Sequence, residues 1–118
     1  MKVRPMEESK ELYEEKTELL KALSHPLRLQ IVRGLLVGGC HNVRCMEAGT
    51  GQSQSTISQH LMRLKAAGVV RCERQGYEMY YEVSDPDAAA VVAALFGDKE
   101  CDYNCPMTLR SSEAVRQA

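Results

Sequence analysis

The chain has 118 residues, 44% of them hydrophobic and 26% charged. That is one ordinary globular domain with a modest core, neither a disordered tract nor two domains. A net charge of −1 argues against non-specific binding to nucleic acid through bulk charge. The N-terminus MKVRPMEESK carries no apolar secretory stretch, and the longest small-apolar run, Ala88 to Phe96, is too short for a bilayer, so a cytoplasmic protein with no membrane partner is expected.

In chain order, Leu12, Leu19, Leu20 and Leu23 repeat at helical spacing among charges, which predicts a helix from Met6 to Leu23. Ser24 offers an N-cap and Pro26 suits the first turn of a second helix, whose core residues are Leu27, Ile31, Val32, Leu35 and Leu36 before Gly38-Gly39. Asn42 caps a short helix, Val43 to about Gly49, and Thr50-Gly51-Gln52 makes a turn. Ser53 caps a further helix, Gln54 to Ala67, buried along Ile57, Leu61 and Leu64. Val69 to Arg74 and Tyr77 to Val83 read as strands joined at Gln75-Gly76. Asp85-Pro86 opens a last helix that reaches Phe96 or beyond. Residues 1–107 form the expected single domain, and 108–118 a polar, frayed tail.

Charge is distributed unevenly along this order. Between Glu7 and Glu18, Glu7, Glu8, Glu11, Glu14, Glu15 and Glu18 outweigh Lys10 and Lys16; between Arg44 and Gln75, Arg44, Arg63, Lys65, Arg71 and Arg74 outweigh Glu47 and Glu73. The middle of the chain attracts phosphate and the first helix repels it. A short helix, a turn, a polar-faced helix and a hairpin make a winged helix-turn-helix, mostly α with a β-hairpin wing, in the order α-α-α-α-β-β-α. Gln54, Ser55, Thr56, Ser58, Gln59 and His60 are the candidates to meet base edges or phosphates in a major groove; Arg63, Lys65, Arg74 and Gln75 would grip the backbone. Three scattered histidines and no phosphate-binding glycine loop leave nothing with which to assemble a catalytic site, so neither an enzyme nor an organic cofactor is expected. A winged helix used only for protein contacts is the alternative to DNA binding.

Four stretches, Leu23-Ser24-His25-Pro26-Leu27-Arg28-Leu29, Ser53-Gln54-Ser55-Thr56-Ile57-Ser58-Gln59-His60-Leu61, Ala67-Gly68-Val69-Val70 and Gly76-Tyr77-Glu78-Met79-Tyr80-Tyr81, resemble in order the ArsR/SmtB family of metal- and stress-sensing repressors. The resemblance implies a homodimer built from the first and last helices, a near-palindromic double-stranded operator, and release of DNA by an inducer.

The cysteines depart from that family's best-known patterns. The positions of its Cys-x-Cys metal pair hold Asn42 and Arg44, and no histidine follows His60 to complete a last-helix zinc or nickel site beside Asp85 and Asp87. Present instead are Cys40-x4-Cys45 and Cys101-x3-Cys105, with Cys72 in a strand as a small core hydrophobe. An i, i+4 pair on a continuing last helix puts two thiols on one face. Soft thiolates suit thiophilic ions: As(III) first, because three sulfurs suffice for it, then Sb(III), Cd(II), Pb(II) or Zn(II), with His41 a weak extra ligand. The alternative is a thiol redox or persulfide switch between Cys40 or Cys45 and Cys101 or Cys105, although the upstream thiol of such family members aligns near Arg33.

Overall fold

The computed structural model describes residues 6–38 and 41–97. It contains α1 (Met6–Leu23), α2 (Pro26–Val37), α3 (Val43–Thr50), α4 (Gln54–Ala66), β1 (Val70–Gln75), β2 (Glu78–Val83) and α5 (Pro86–Phe96). This is the winged helix-turn-helix order expected from the sequence.

One core joins all the helices and the base of the hairpin. Ile57, Leu61 and Leu64 of α4 share one buried cluster with Val32 of α2, Val69 and Val70 at the start of the wing, Val92 of α5 and Met46 of α3. α1 contributes Leu19, Ala22 and Leu23. The expected leucine stripe on α1 therefore splits. Leu12 shares a face with Leu19 but lies two turns earlier, roughly 10 Å along the axis, and is half exposed; Leu20 turns off the stripe and is exposed beside Tyr13. Leu36, expected in the α2 core, is also exposed, because Leu35 and Ile31 already face the interior and the next residue turns outward by about 100°.

The start of α2 differs from expectation as well. His25, not Ser24, is the N-cap: its backbone is extended (φ −158°, ψ 133°) and its Nδ1 accepts from the Leu27 N–H at 3.1 Å. Pro26 occupies the first helical position and restricts the residue before it to an extended conformation, so the capping position falls on His25. The Ser24 hydroxyl instead donates back to the Leu20 carbonyl at 2.7 Å.

Asn42 and Ser53 cap α3 and α4 as expected, each side-chain oxygen accepting an N–H three residues on, from Cys45 and Thr56. The two strands pair antiparallel from Val70↔Val83 to Gln75↔Glu78, one residue later than expected at the first strand's ends and at the start of the second. Gly76 and Tyr77 are then the two-residue turn, Gly76 taking the positive φ (66°) that such a tight connection requires. Asp85 caps α5, and Gly97 ends it at φ 59°, ψ −133°, which is not helical. The helix reaches Phe96, as expected; Cys101 and Cys105, for which a further continuation was expected, lie outside the described residues.

Because Ile57 is fully buried where α2, α4 and the wing meet, Ile57→Ala should destabilise the fold by about 2–5 kcal/mol. Urea denaturation at fixed protein concentration checks this: the midpoint should fall with the slope unchanged.

Candidate nucleic-acid interface

The buried stripe of α4 fixes what its other faces present. Opposite Ile57, Leu61 and Leu64 run Ser55, Gln59 and Met62, all exposed, Met62 at 71%. Spacings of four and three keep these three on one ridge. The ridge offers a hydroxyl, an amide and a thioether, with no fixed charge. Such a surface can lie against base edges in a major groove without paying to desolvate an ion.

The two flanks of α4 are engaged differently. On the flank toward α3 and the wing, Gln54 and Ser58 line an open groove of about 360 Å³ together with Arg44, Glu47, Tyr77 and Met79. On the flank toward α1 and α2, His60 and Arg63 have partners inside the protein. The His60 Nδ1 lies 3.1 Å from the Arg28 Nη1, and its ring sits 4.4 Å from that of His25, tilted by 44°. Arg28 also donates to the carbonyls of Ala22 and Lys21, so one guanidinium ties the end of α1 to α4. Burial, with His25 and Arg28 nearby, holds the His60 imidazole below its ordinary pKa of 6.5. The Arg63 Nη2 stands 3.6 Å from the Glu18 Oε1 on α1.

The residues expected to touch DNA therefore fall into two groups. Gln54, Ser55, Gln59, Arg74 and Gln75 are exposed, on α4 and the wing. Thr56, Ser58, His60 and Arg63 are half-buried, with Thr56 accepting from the Ser53 hydroxyl at 3.0 Å and His60 and Arg63 turned toward the first two helices. At the wing tip the Arg74 Nε donates to the Gly76 carbonyl at 3.3 Å. Two residues of this surface were missing from the sequence reading. Tyr77 is 100% exposed on the turn, and Met62 stands on the ridge. Met62 was signalled by its spacing of seven from Ser55; Tyr77 looked like strand and emerges only once the strand register is known.

The thiols divide likewise. Cys45 is half-buried in the first turn of α3 and donates its N–H to the Asn42 Oδ1 at 2.8 Å. Cys72 is a free, half-buried thiol on β1, paired across the hairpin with Tyr81, so it is less enclosed than a core position requires. Cys40, Cys101 and Cys105 lie outside the described residues, among which no group of three His, Cys, Asp or Glu side chains is placed to hold a metal. His41 lies with its Nδ1 3.3 Å from the Tyr81 carbonyl. Asp85 caps α5, and Asp87 pairs with Lys16 of α1 at 2.5 Å. Among the described residues no helix is long and apolar enough to cross a membrane.

Residues 25–71 match the family described as "Bacterial regulatory protein, arsR family". The transcriptional repressor PagR of Bacillus anthracis is 37% identical over 82 residues, which are 70% of this chain and 82% of that protein. Its crystal structure superposes with a TM-score of 0.66 at 34% identity, covering 73% of this chain and 98% of that one. The crystal structure of the transcriptional repressor BigR from Xylella fastidiosa gives a TM-score of 0.67 at 34% identity over 79% and 94% of the two chains. A homodimeric winged helix-turn-helix DNA-binding domain from Mycobacterium bovis gives 0.65 at 28% identity over 80% and 86%.

The depressed pKa of His60 makes stability depend on pH. Above pH 6.5 the imidazole is neutral in both folded and unfolded chains, and its contribution is fully present. Below that pH the unfolded chain takes the proton first, so stability is lost as the pH falls from 6.5 toward the lower folded value. The thermal midpoint should fall between pH 7.5 and 5.5, and His60→Gln, whose amide oxygen can still accept from Arg28, should remove part of that fall.

Proposed function

The chain belongs to the ArsR family of bacterial regulatory proteins, and from that premise we propose that it is a transcriptional repressor that binds a near-palindromic DNA operator as a homodimer and lets go when its thiols react. The observation that carries the DNA half is the uncharged ridge Ser55–Gln59–Met62, fully outward on α4, beside a wing tipped by an exposed tyrosine. Gln54, Ser55, Ser58 and Gln59 read bases or nearby phosphates, with Thr56 behind them. Arg74, Gln75 and Tyr77 hold the adjoining backbone or minor groove. Arg63 and His60 set the angle of α4 on the body through Glu18, Arg28 and His25 rather than lying on the outer ridge. A repressor of this kind works where bacterial DNA lies, in the cytoplasm.

Dimerisation through the first and last helices is supported by what those helices leave uncovered. Leu12, Tyr13 and Leu20 on α1 and Leu95 on α5 are large, apolar and exposed, and Lys16 joins the two helices through Asp87. The M. bovis relative with this fold is a homodimer. A two-fold axis sets two copies of α4 on half-sites one helical turn apart.

For the inducer, thiol chemistry takes two forms. Thiophilic ions, As(III) foremost, would bind thiolates of Cys45 with Cys40, Cys101 and Cys105, a donor set without hard ligands. Oxidation would instead close a disulfide between two of the same thiols. Taking a repressor from 99:1 bound to 1:99 needs about 5.5 kcal/mol of differential binding.

Fluorescence anisotropy of the reduced protein on duplex DNA from upstream of its own gene, under anaerobic conditions, separates these. Tight binding that weakens steeply with salt is expected. Release by near-stoichiometric arsenite supports the metalloid form, and release by diamide alone the oxidative one. Replacing Cys40, Cys45, Cys101 and Cys105 by serine should leave affinity nearly unchanged and abolish release; a normal response from that variant would exclude these four thiols.

A further inference from the structure

Met62 is the one large apolar side chain of α4 that faces solvent, at 71% exposed. The stripe Ile57–Leu61–Leu64 is buried on the opposite side of the helix, so Met62 is not an edge of the core. It continues the uncharged ridge instead. Ser55 and Gln59 precede it by seven and three residues and Ala66 follows it by four, all exposed. Ala66 adds only a methyl group, so no longer side chain further along the ridge holds Met62 away from a surface laid against it. The exposed apolar side chains Leu12, Tyr13, Leu20 and Leu95 belong to α1 and α5, not to this helix.

A thioether has little to offer a phosphate. Methionine carries no donor and its sulfur is a weak acceptor, so it cannot hold the DNA backbone as an arginine or an amide can. In the major groove the base edges present donors, acceptors and one apolar group, the C5 methyl of thymine. That methyl is the complement of Met62. An unbranched, polarisable chain with three rotatable bonds can settle on so small a target, which a stiff β-branched side chain cannot do as freely. Position agrees with the chemistry. Three residues of α-helix rise about 4.5 Å and successive base pairs about 3.4 Å, which puts Met62 about one base pair from the pair that Gln59 faces.

We propose that Met62 is a specificity-determining residue of the DNA interface, reading the C5 methyl of a thymine in each half-site beside the base pair faced by Gln59. This deepens the DNA-binding reading and rests on it. Thymine and uracil make the same hydrogen bonds with adenine and present the same O4 to the groove; they differ by the methyl alone. Ser55 and Gln59 work through hydrogen bonds and read the two alike. Met62 tells them apart, because only with thymine does apolar surface leave water on both sides of the contact.

The test removes that methyl and nothing else. The reduced full chain is titrated by anisotropy onto the duplex from upstream of its own gene, each thymine of the protected region being replaced in turn by deoxyuridine. Replacing the contacted thymine in one half-site should weaken binding about fourfold, equivalent to about 0.8 kcal/mol for one buried methyl group, and in both half-sites roughly fifteenfold. In Met62→Ala the same replacements should change nothing, while Met62→Leu, which keeps apolar bulk, should retain most of the loss. Met62 is exposed, so both variants should fold normally, and size-exclusion chromatography should show each with the oligomeric state of the wild type. A scan in which no thymine matters, or a loss as large in Met62→Ala as in the wild type, overturns the inference and leaves DNA binding standing. A Met62→Ala protein that no longer dimerises also overturns it, by placing the side chain between subunits. A wild type that binds neither this duplex nor any selected from a random pool removes DNA binding and the methyl contact with it.

Discussion

Three side chains on one stripe of α4, Ile57, Leu61 and Leu64, are buried almost completely, and the position of every functional group on that helix follows from them. An α-helix has one degree of rotational freedom about its axis, and burying a stripe removes it. With those residues inward, Ser55, Gln59 and Met62 can only point away from the body. Gln54 and Ser58 can only face the groove below the wing, and His60 and Arg63 only the first two helices. The cost of turning the helix to present any other face would be the exposure of this stripe, at about 1.5–3 kcal/mol per large aliphatic side chain.

The two flanks then hold this orientation by different means. Toward α1 and α2 the contacts are ionic and aromatic: Arg63 with Glu18, and His60 between Arg28 and His25. One acid of α1, Glu18, is taken up here as the partner of Arg63 on α4. Toward the wing α4 packs against α3, and the segment before α3 is in turn bonded to β2 through His41 and Asn42. α4 is thus steadied on one side by α1, whose Leu12, Tyr13 and Leu20 are exposed, and on the other by α3, which carries Cys45. A change at either place has a short physical route to α4 or the wing.

Much of this was legible in the sequence because it depends on local chemistry. Asn42 and Ser53 cap their helices as read, the α4 stripe follows from spacings of four and three, and Asp85-Pro86 opens α5. What was not legible depends on neighbours. Ser24 is the more usual capping residue type, but Pro26 in the first helical position puts the cap on His25, whose ring nitrogen reaches the Leu27 N–H only in the folded backbone. Leu12, Leu20 and Leu36 satisfy a helical period, but periodicity says which residues share a face and not how far along the helix a partner extends. His60 sits in a polar helix like its neighbours, and only the packing of α4 against α2 brings Arg28 and His25 to it. Tyr77 became visible as the wing tip when the register moved each adjoining strand end by one residue. The thiols were the least legible, because the choice between ligation and oxidation depends on distances that spacing does not encode.

The central claim, that this fold is a dimeric reader of duplex DNA, is tested most directly by selecting binders of the reduced protein from a pool of random duplexes and sequencing them. The account predicts enrichment of a near-palindrome with two half-sites whose centres lie one helical turn apart. A selected pool indistinguishable from the starting one at low salt, or enrichment of a lone unpaired half-site, would contradict it.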